Sequence, residues 1–252
     1  MEKYFDINQN GHSIRCKLYY SDLHAIRRIV ISAHGFAGHK DNRAAAKFAD
    51  RAVSSCKGTA VVTFDWPCHG KDGKKKLRLE DCCSYLRILL QYLTERFAPD
   101  TYYAYGTSFG GYVLLKYIHD NGSPFIKTVL RCPAVNMYGS MTQRVMSEKN
   151  REDINRGKTV SVGFDRQVSI DSAFLSELKE CDLTKFDYLD YAEDILIIHG
   201  TKDEVIPIET VKAFCDDNLI ELLPIEKADH RFQDPQTMDA AIHAALSYFQ
   251  FR

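Results

Sequence analysis

Ser108 has the residue type and the neighbours of a catalytic nucleophile. It is the central residue of Gly106-Thr107-Ser108-Phe109-Gly110, between a β-branched and aromatic run that ends at Tyr105 and an apolar helical pattern over 112–118. Glycines on both sides of a serine allow the chain to turn sharply from a strand into a helix and to expose the hydroxyl. Because glycine and serine are common, this pattern needs partners elsewhere in the chain.

A serine hydroxyl attacks a carbonyl carbon when a base takes its proton, and the base needs an acid to orient it. In open α/β sheets such groups lie on loops at the carboxyl ends of the strands. Asp203 follows a predicted strand at 195–198, and His230 follows a predicted strand at 219–223. Ser108, Asp203 and His230 therefore stand in the order expected of a triad on an α/β sheet.

Two other residues compete for these roles. Glu204 adjoins Asp203 and offers a second carboxylate, and His243 on the closing helix is another histidine after the last predicted strand. An acid after the strand that ends at residue 130 would also compete, but residues 131–136 contain none. The missing acid favours the loop that carries Asp203 and Glu204, and His230 is favoured over His243, which lies on the closing helix.

Negative charge that develops on the attacked carbonyl oxygen needs hydrogen-bond donors. His34-Gly35-Phe36-Ala37-Gly38 directly follows the predicted strand 28–33, where one such donor is expected. We predict an oxyanion hole formed by the backbone N–H groups of Phe36 and of Phe109, the residue after the nucleophile.

Strands alternate with helices along most of the chain, after a predicted antiparallel hairpin at 4–7 and 14–19. Nearly continuous apolar strands are typical of a parallel sheet covered on both faces. The sequence therefore predicts an α/β fold with a mostly parallel twisted sheet and helices on both faces. The further predicted strands are 28–33, 59–64, 101–105, 126–130, 195–198 and 219–223, and the predicted helices are 43–55, 79–97, 108–119, 209–216 and 235–249.

Residues 132–193 interrupt this alternation with charged, glycine-containing sequence. Long loops without secondary structure are uncommon in compact domains, so we predict a folded cap or lid over 132–193 and a core made of 1–131 and 194–252. Within the cap, 159–162 and 167–170 flank Gly163-Phe164-Asp165-Arg166 as a hairpin, and 172–179 has helical spacing.

Charge and composition restrict the partners. The chain has 252 residues, with 33 Lys or Arg against 34 Asp or Glu and a formal net charge of −1. This balance gives no field to attract nucleic acid or an anionic membrane. Residues 1–6 lack the apolar core of a secretion signal, and no uncharged apolar run has membrane-spanning length. We expect a cytoplasmic protein that acts on a small molecule, and the sequence leaves a homodimer open.

The eight cysteines are scattered or adjacent and form no Cys-x-x-Cys pair, which predicts reduced thiols rather than disulfides. The histidines are also dispersed, without a His-Glu-x-x-His motif. The sequence therefore predicts neither a metal site nor zinc-dependent hydrolysis.

Five short motifs lie at predicted strand ends: His34-Gly35-Phe36, Phe64-Asp65-x-x-x-His69-Gly70, Gly106-x-Ser108-x-Gly110, His199-Gly200-x-x-Asp203-x-x-x-Pro207 and Asp229-His230. Together they resemble the α/β-hydrolase superfamily across nearly the whole chain. Within it, the compact length and small cap are similar to the bacterial carboxylesterases that include cinnamoyl and feruloyl esterases, beside monoacylglycerol lipases and serine aminopeptidases. The resemblance implies a Ser-Asp-His hydrolase without a metal or an organic cofactor. In the cinnamoyl esterases a cap acid is associated with the phenol hydroxyl; here residues 134–138 contain no acid.

We therefore expect a serine carboxylesterase that acts on small to medium acyl or aromatic, cinnamoyl-type esters through an acyl-enzyme. The same triad would serve an aminopeptidase, an amidase or a thioesterase, and a catalytically inert binding protein is the alternative of another class. His34, His69 and Asp65 are predicted to shape loops. Side chains that could line an acyl pocket, or equally pack in the core or cap, are Phe36, Trp66, Phe109, Met137, Tyr138 and Phe164.

Overall fold

A computed structural model of the chain describes residues 1–163 and 166–251. Its elements are β1 (Glu2–Gln9), β2 (His12–Tyr20), β3 (Arg28–Ala33), α1 (Arg43–Ser55), β4 (Thr59–Phe64), α2 (Leu79–Phe97), β5 (Thr101–Thr107), α3 (Phe109–Asn121), β6 (Lys127–Arg131), α4 (Met137–Ser140), α5 (Glu148–Asn155), β7 (Val160–Val162), β8 (Val168–Ile170), α6 (Ser172–Glu180), β9 (Ile195–Gly200), α7 (Ile208–Asn218), β10 (Glu221–Ile225) and α8 (Pro235–Tyr248). A π-helical turn, Met141–Val145, follows α4, and two 3-10 turns, Leu183–Lys185 and Leu189–Asp194, precede β9.

Eight strands form one sheet in the order β1-β2-β4-β3-β5-β6-β9-β10. The β1–β2 and β2–β4 pairs are antiparallel, and every other neighbouring pair in this sheet is parallel. All six residues of β4 are buried, as expected of a strand with helices on both faces. The predicted α/β class, with its antiparallel start, is confirmed.

Successive residues of the central strands face two separate apolar cores. Ile29 and Ile31 belong to the core on the side of α2 and α3, whereas Val30 packs on the other side with Phe48 of α1 and Ile242 of α8. This two-residue alternation holds helices on both faces of the sheet. The loops at the carboxyl ends of the strands are therefore carried by a framework packed from both sides.

The boundary between α7 and β10 differs from the sequence prediction. The helix continues to Asn218, and the strand begins at Glu221 rather than at residue 219. Leu219 ends the helix with a φ of 56°, in the left-handed region, and its side chain is 76% exposed. The apolar run at 219–223 thus contains a helix end as well as a strand.

The segment between β6 and β9 is folded. The predicted hairpin and the predicted helix at 172–179 are present as β7–β8 and α6, whereas the sequence predicts neither α4 nor α5. Ser147 and Asn150 cap the start of α5 reciprocally, each side chain accepting the other's backbone N–H. An asparagine replaces the Glu or Gln of the usual capping signature, which explains why the sequence did not reveal this helix start.

Arg78, immediately before α2, joins this segment to the core. Its Nη1 and Nη2 donate to the two carboxylate oxygens of Asp171 at 2.8 and 2.7 Å, and its Nε lies 3.6 Å from Glu177. Glu177 also accepts a hydrogen bond from the backbone N–H of Leu79 at 2.8 Å. These contacts fix the start of α6 against the start of α2.

Across residues 1–163 and 166–251, none of the helices has the combination of length and apolar character that a bilayer crossing demands.

Candidate active site

Ser108 lies at the sharp turn between β5 and α3. Its φ of 51° and ψ of −115° are unusual for a residue with a side chain. The flanking glycines are required by space, because a Cβ on Gly106 would lie 2.7 Å from Leu114 and one on Gly110 would lie 2.2 Å from the Ala33 carbonyl oxygen. The close packing of β5 against α3 and β3 thus fixes the backbone that carries the hydroxyl.

The sheet register brings the three predicted side chains to one edge. Thr107 pairs with Arg131, and Arg131 pairs with Ile198. On the other side of β9, Gly200 pairs with Ile225 of β10. The loops after these strands therefore leave the sheet side by side. His230 Nε2 lies 3.1 Å from Ser108 Oγ, and His230 Nδ1 lies 2.7 Å from Asp203 Oδ2. The network assigns a proton to Nδ1 and leaves Nε2 as the acceptor from the serine hydroxyl.

Asp203 is held rigidly. Its side chain is fully buried, and Oδ1 accepts hydrogen bonds from the N–H groups of Val205 at 2.9 Å and Ile206 at 2.7 Å. Burial by itself would raise the pKa of Asp203, but its hydrogen bonds with His230 and the loop hold this pKa below the ordinary value. Glu204, the alternative acid, is exposed, so Asp203 is the carboxylate within hydrogen-bond distance of His230.

Two more buried groups surround Asp203. His199 Nε2 lies 2.9 Å from the Ile206 carbonyl oxygen and 3.4 Å from Asp203 Oδ2. Burial lowers the pKa of His199, so its ring is a neutral donor there. Although the sequence motif includes His199, its spacing does not predict this contact.

Cys132 also approaches the acid. Its Sγ, a carboxylate oxygen of Asp203 and a ring nitrogen of His230 lie within 4.8 Å of one another. Burial raises the pKa of the Cys132 thiol well above its usual value, so the sulfur keeps its proton. Thiol, carboxylate and imidazole are metal-ligand types, and the fold joins them although they are scattered in the sequence. Two of these three potential ligands, Asp203 and His230, are already joined by a hydrogen bond, an arrangement that suits proton transfer.

The two predicted oxyanion donors belong to segments that adjoin the nucleophile. Ala33 pairs with Gly106 in the sheet, which places the loop that carries Phe36 beside Ser108. A Cβ on Gly35 would lie 3.3 Å from the Ser108 Cβ. Within the described residues, neither the Phe36 N–H nor the Phe109 N–H has a hydrogen-bond acceptor. Both donors are therefore available to a ligand oxygen.

Ser108 and His230 open on a cleft of about 270 Å³. Among the residues proposed from the sequence to line an acyl pocket, Phe36 and Met137 line this cleft. Trp66 and Phe109 are instead fully buried in the core. Tyr138 is half-buried and is not among the described residues that line the cleft. Phe164 lies outside the described residues.

Loop-shaping roles fit His34, His69 and Asp65. Asp65 accepts hydrogen bonds from the backbone N–H groups of Lys40 at 2.7 Å and Lys71 at 3.0 Å. His34 Nδ1 lies 2.8 Å from the Gly35 carbonyl oxygen, and His69 Nδ1 lies 2.8 Å from the Pro67 carbonyl oxygen. Burial lowers the pKa of His34 to about 4 and that of His69 to about 3, so both rings are neutral at physiological pH.

Arg131, which the sequence analysis did not select, also lines the cleft. It is the last residue of β6, and its carbonyl oxygen accepts a hydrogen bond from the Ser108 N–H at 3.0 Å. Nothing in the local pattern marks this arginine, because a charged residue at a strand end is ordinarily exposed. Here it is only 7% exposed.

Residues 51–251 match the Prolyl oligopeptidase family. No curated protein matches the chain at a significant level. The family match extends over the nucleophile turn and the loops that carry Asp203 and His230.

Several solved structures resemble the whole chain. A hydrolase structure from Agrobacterium vitis S4 superposes with a TM-score of 0.78 at 17% identity, covering 98% of each chain. Est1E from Butyrivibrio proteoclasticus with bound ferulic acid gives 0.76 at 17% identity, covering 98% of this chain and 99% of that one. The monoacylglycerol lipase of Paleococcus ferrophilus gives 0.65 at 17% identity, covering 93% and 99%. These similarities establish a shared α/β-hydrolase fold.

Proposed function

The chain belongs to the prolyl oligopeptidase family of α/β hydrolases, and on that premise we propose that it is a serine carboxylesterase. The observation that supports this most directly is the unbroken hydrogen-bonded series from Ser108 through His230 to Asp203, at 3.1 and 2.7 Å. Both distances lie within the range over which a proton passes between heavy atoms.

In the proposed mechanism, Ser108 Oγ attacks the ester carbonyl carbon while His230 Nε2 takes the hydroxyl proton. Asp203 holds the imidazole and balances its positive charge. The N–H groups of Phe36 and Phe109 stabilise the tetrahedral oxyanion. His230 then protonates the leaving alcohol, which completes the acyl-enzyme. His230 next takes a proton from a water molecule, which attacks the acyl carbonyl; His230 then returns the proton to Ser108 Oγ as the acyl–serine bond breaks and the carboxylic acid leaves.

The cleft supports small to medium substrates. Its volume of about 270 Å³ lies just below the range of about 300–1,000 Å³ that is typical of small-molecule pockets. Phe36 and Met137 offer apolar contact to an acyl chain. The structural neighbour Est1E contains ferulic acid, but residues 134–138 of this chain have no acid to pair with a phenol hydroxyl. We therefore favour an acyl group without a phenol.

We also propose that residues 132–193 act as a cap on the core formed by 1–131 and 194–252. Met137, Ser140 and Val145, all from this segment, line the cleft together with Ser108. Changes within the segment would then alter substrate preference without altering the triad.

The direct test is Ser108→Ala. We expect kcat/KM for p-nitrophenyl butyrate to fall at least about 10⁴-fold, with an unchanged circular dichroism spectrum. A fluorophosphonate probe should label the wild-type chain at Ser108 and leave the variant unlabelled. Undiminished hydrolysis by Ser108→Ala would overturn the assignment. Failure of the probe to label folded wild-type protein would favour the inert binding protein.

A second candidate is a peptide or amide hydrolase, which the match to the prolyl oligopeptidase family favours. The triad geometry suits either bond, because both reactions pass through a tetrahedral intermediate. Parallel kcat/KM measurements with aminoacyl-naphthylamides, acyl-CoA thioesters and p-nitrophenyl esters separate the candidates. A preference for the amide would replace the esterase proposal with a peptidase, and a preference for the thioester would replace it with a thioesterase.

A further inference from the structure

Arg131 is a buried arginine among the residues that line the cleft that Ser108 faces. Only 7% of the residue is exposed to solvent. Its Nη1 contacts Met238 Sδ at 3.3 Å, and its guanidinium carbon lies 5.0 Å from the centre of the Phe232 ring. Its Nε is buried without a hydrogen-bond partner among the described residues.

No carboxylate in the described part of the chain lies within 4 Å of this guanidinium, whereas Arg78, whose side chain is 25% exposed, has two acidic neighbours. The described residues that line the cleft include no Asp or Glu. The lining also contains a second arginine, Arg231. Arg231 has interactions of its own and has no part in the proposal below. The cleft thus presents one buried cation without a counter-ion from its own described wall.

Packing alone does not explain why this position is an arginine. Phe232 and Met238 offer weak contacts through a ring face and a thioether, and neither supplies negative charge. A methionine or leucine would fill similar space without the cost of removing a charge from water. A buried arginine at position 131 is best explained by a negatively charged group that reaches it from the cleft.

We propose that Arg131 binds a free carboxylate of the substrate, so that the preferred ester carries a second, ionised carboxyl group. This inference rests on the proposed esterase function. A single guanidinium balances a single negative charge and fits the planar, two-oxygen form of a carboxylate. The carboxylate can belong to the acyl group, as in a monoester of a dicarboxylic acid, or to the alcohol.

The test compares matched esters with the wild-type protein at neutral pH, where a carboxylate is ionised. The acyl arm uses the p-nitrophenyl monoester of adipic acid against p-nitrophenyl hexanoate. The alcohol arm uses p-(carboxymethyl)phenyl butyrate against p-isobutylphenyl butyrate. We expect kcat/KM to be at least about 10-fold higher for the charged member of one pair, which corresponds to about 1.4 kcal/mol. The arm that shows the preference identifies the side of the ester that carries the carboxylate.

Variants then attribute the preference to Arg131. Arg131→Met removes the charge at similar length and should lower the charged-to-neutral ratio of kcat/KM at least about 10-fold. Arg131→Lys, which keeps the charge but loses the fork, should retain part of the ratio. If Arg131→Met does not fold, Arg131→Gln and the wild-type ratio itself still decide the question.

The outcomes separate this inference from the function on which it rests. Hydrolysis of the neutral esters without a preference for either charged partner would overturn the carboxylate site and leave the esterase intact. An equal loss for charged and neutral esters in Arg131→Met would assign Arg131 a structural role and also overturn the site. Failure of wild-type protein to hydrolyse any of the four esters would overturn both proposals.

Discussion

Each oxygen of the Asp203 carboxylate has a separate partner, Oδ2 with the His230 ring and Oδ1 with two backbone N–H groups. Asparagine would keep the shape of the side chain but would place an NH₂ donor on one of these sides. If the donor faced His230, the imidazole would take the tautomer whose Nε2 cannot accept the serine proton. The charge that balances the imidazolium would also be lost.

We therefore expect Asp203→Asn to lower kcat by about 10³- to 10⁴-fold while KM changes little. The matched control is Glu204→Gln, which removes the neighbouring exposed carboxylate and should leave kcat unchanged. Steady-state kinetics on one p-nitrophenyl ester measures both variants. Equal losses in the two variants would contradict the assignment of Asp203 as the orienting acid.

Some residues of the site can be predicted from the sequence, and others cannot. Ser108, Asp203 and His230 could be selected because each follows a predicted strand, and parallel strands end at a common edge. Arg131 ends β6 and Cys132 follows it, yet neither forms a motif. Their roles depend on burial and on contacts with distant residues, which no local pattern encodes.

At the scale of elements, the Arg78–Asp171 contact is the feature most open to test. The Arg78 guanidinium holds the pKa of Asp171 below its usual value, which shows that the pair stabilises the charged forms. Arg78→Met should therefore loosen α6 from α2 and speed amide hydrogen exchange in α6 by about 10-fold, with β3 and β5 unchanged. Hydrogen exchange followed by mass spectrometry resolves these elements.

Arg87→Met is the matched control for this change. Arg87 also lies near an acid, Glu80, but at 4.0 Å and with half of its side chain exposed, so its removal should alter no element. Unchanged exchange of α6 in Arg78→Met would contradict a restraining role for the ion pair.

Element boundaries show where the sequence stops being informative. α1 and α2 begin and end where their apolar spacing predicts. α7 and β10 do not, because the apolar residues around 219 suit a helix end and a strand equally well. α4 is a single turn, too short for periodicity to detect.

At the scale of the whole molecule, buried neutral histidines link folding to pH, and His34 and His69 have the values that set the range. The unfolded chain binds protons at these rings near the ordinary histidine pKa of about 6.5, whereas the folded chain binds them at about 4 for His34 and about 3 for His69. Between these values the unfolded state holds more protons, so the free energy of unfolding falls as the pH falls. Each histidine contributes up to about 1.4 kcal/mol per pH unit.

We expect urea midpoints to be constant above about pH 7 and to drop steadily between about pH 6.5 and 4. His69→Asn removes one of these titrating rings and should reduce the steepness of this drop. His24→Asn, at an exposed position, should leave it unchanged. A slope in His69→Asn equal to that of the wild-type protein would contradict the linkage.

The fold class follows from the alternation of strands and helices, since few arrangements bury that pattern. Substrate preference is harder to predict because the cleft combines residues from both sides of the interruption at 132–193. The burial of Arg131 cannot be predicted from the formal net charge of −1, because a sum of charges does not say which of them are buried.

The order of the strands has a consequence during synthesis on the ribosome. β5 and the turn with Ser108 precede both partners in the chain: Asp203 follows β9, and His230 follows β10 at the far edge of the sheet. Under the proposed mechanism, a nascent chain that stops before His230 carries a nucleophile without a base. Under this mechanism, reactivity toward esters would begin only after the residues through His230 have been translated.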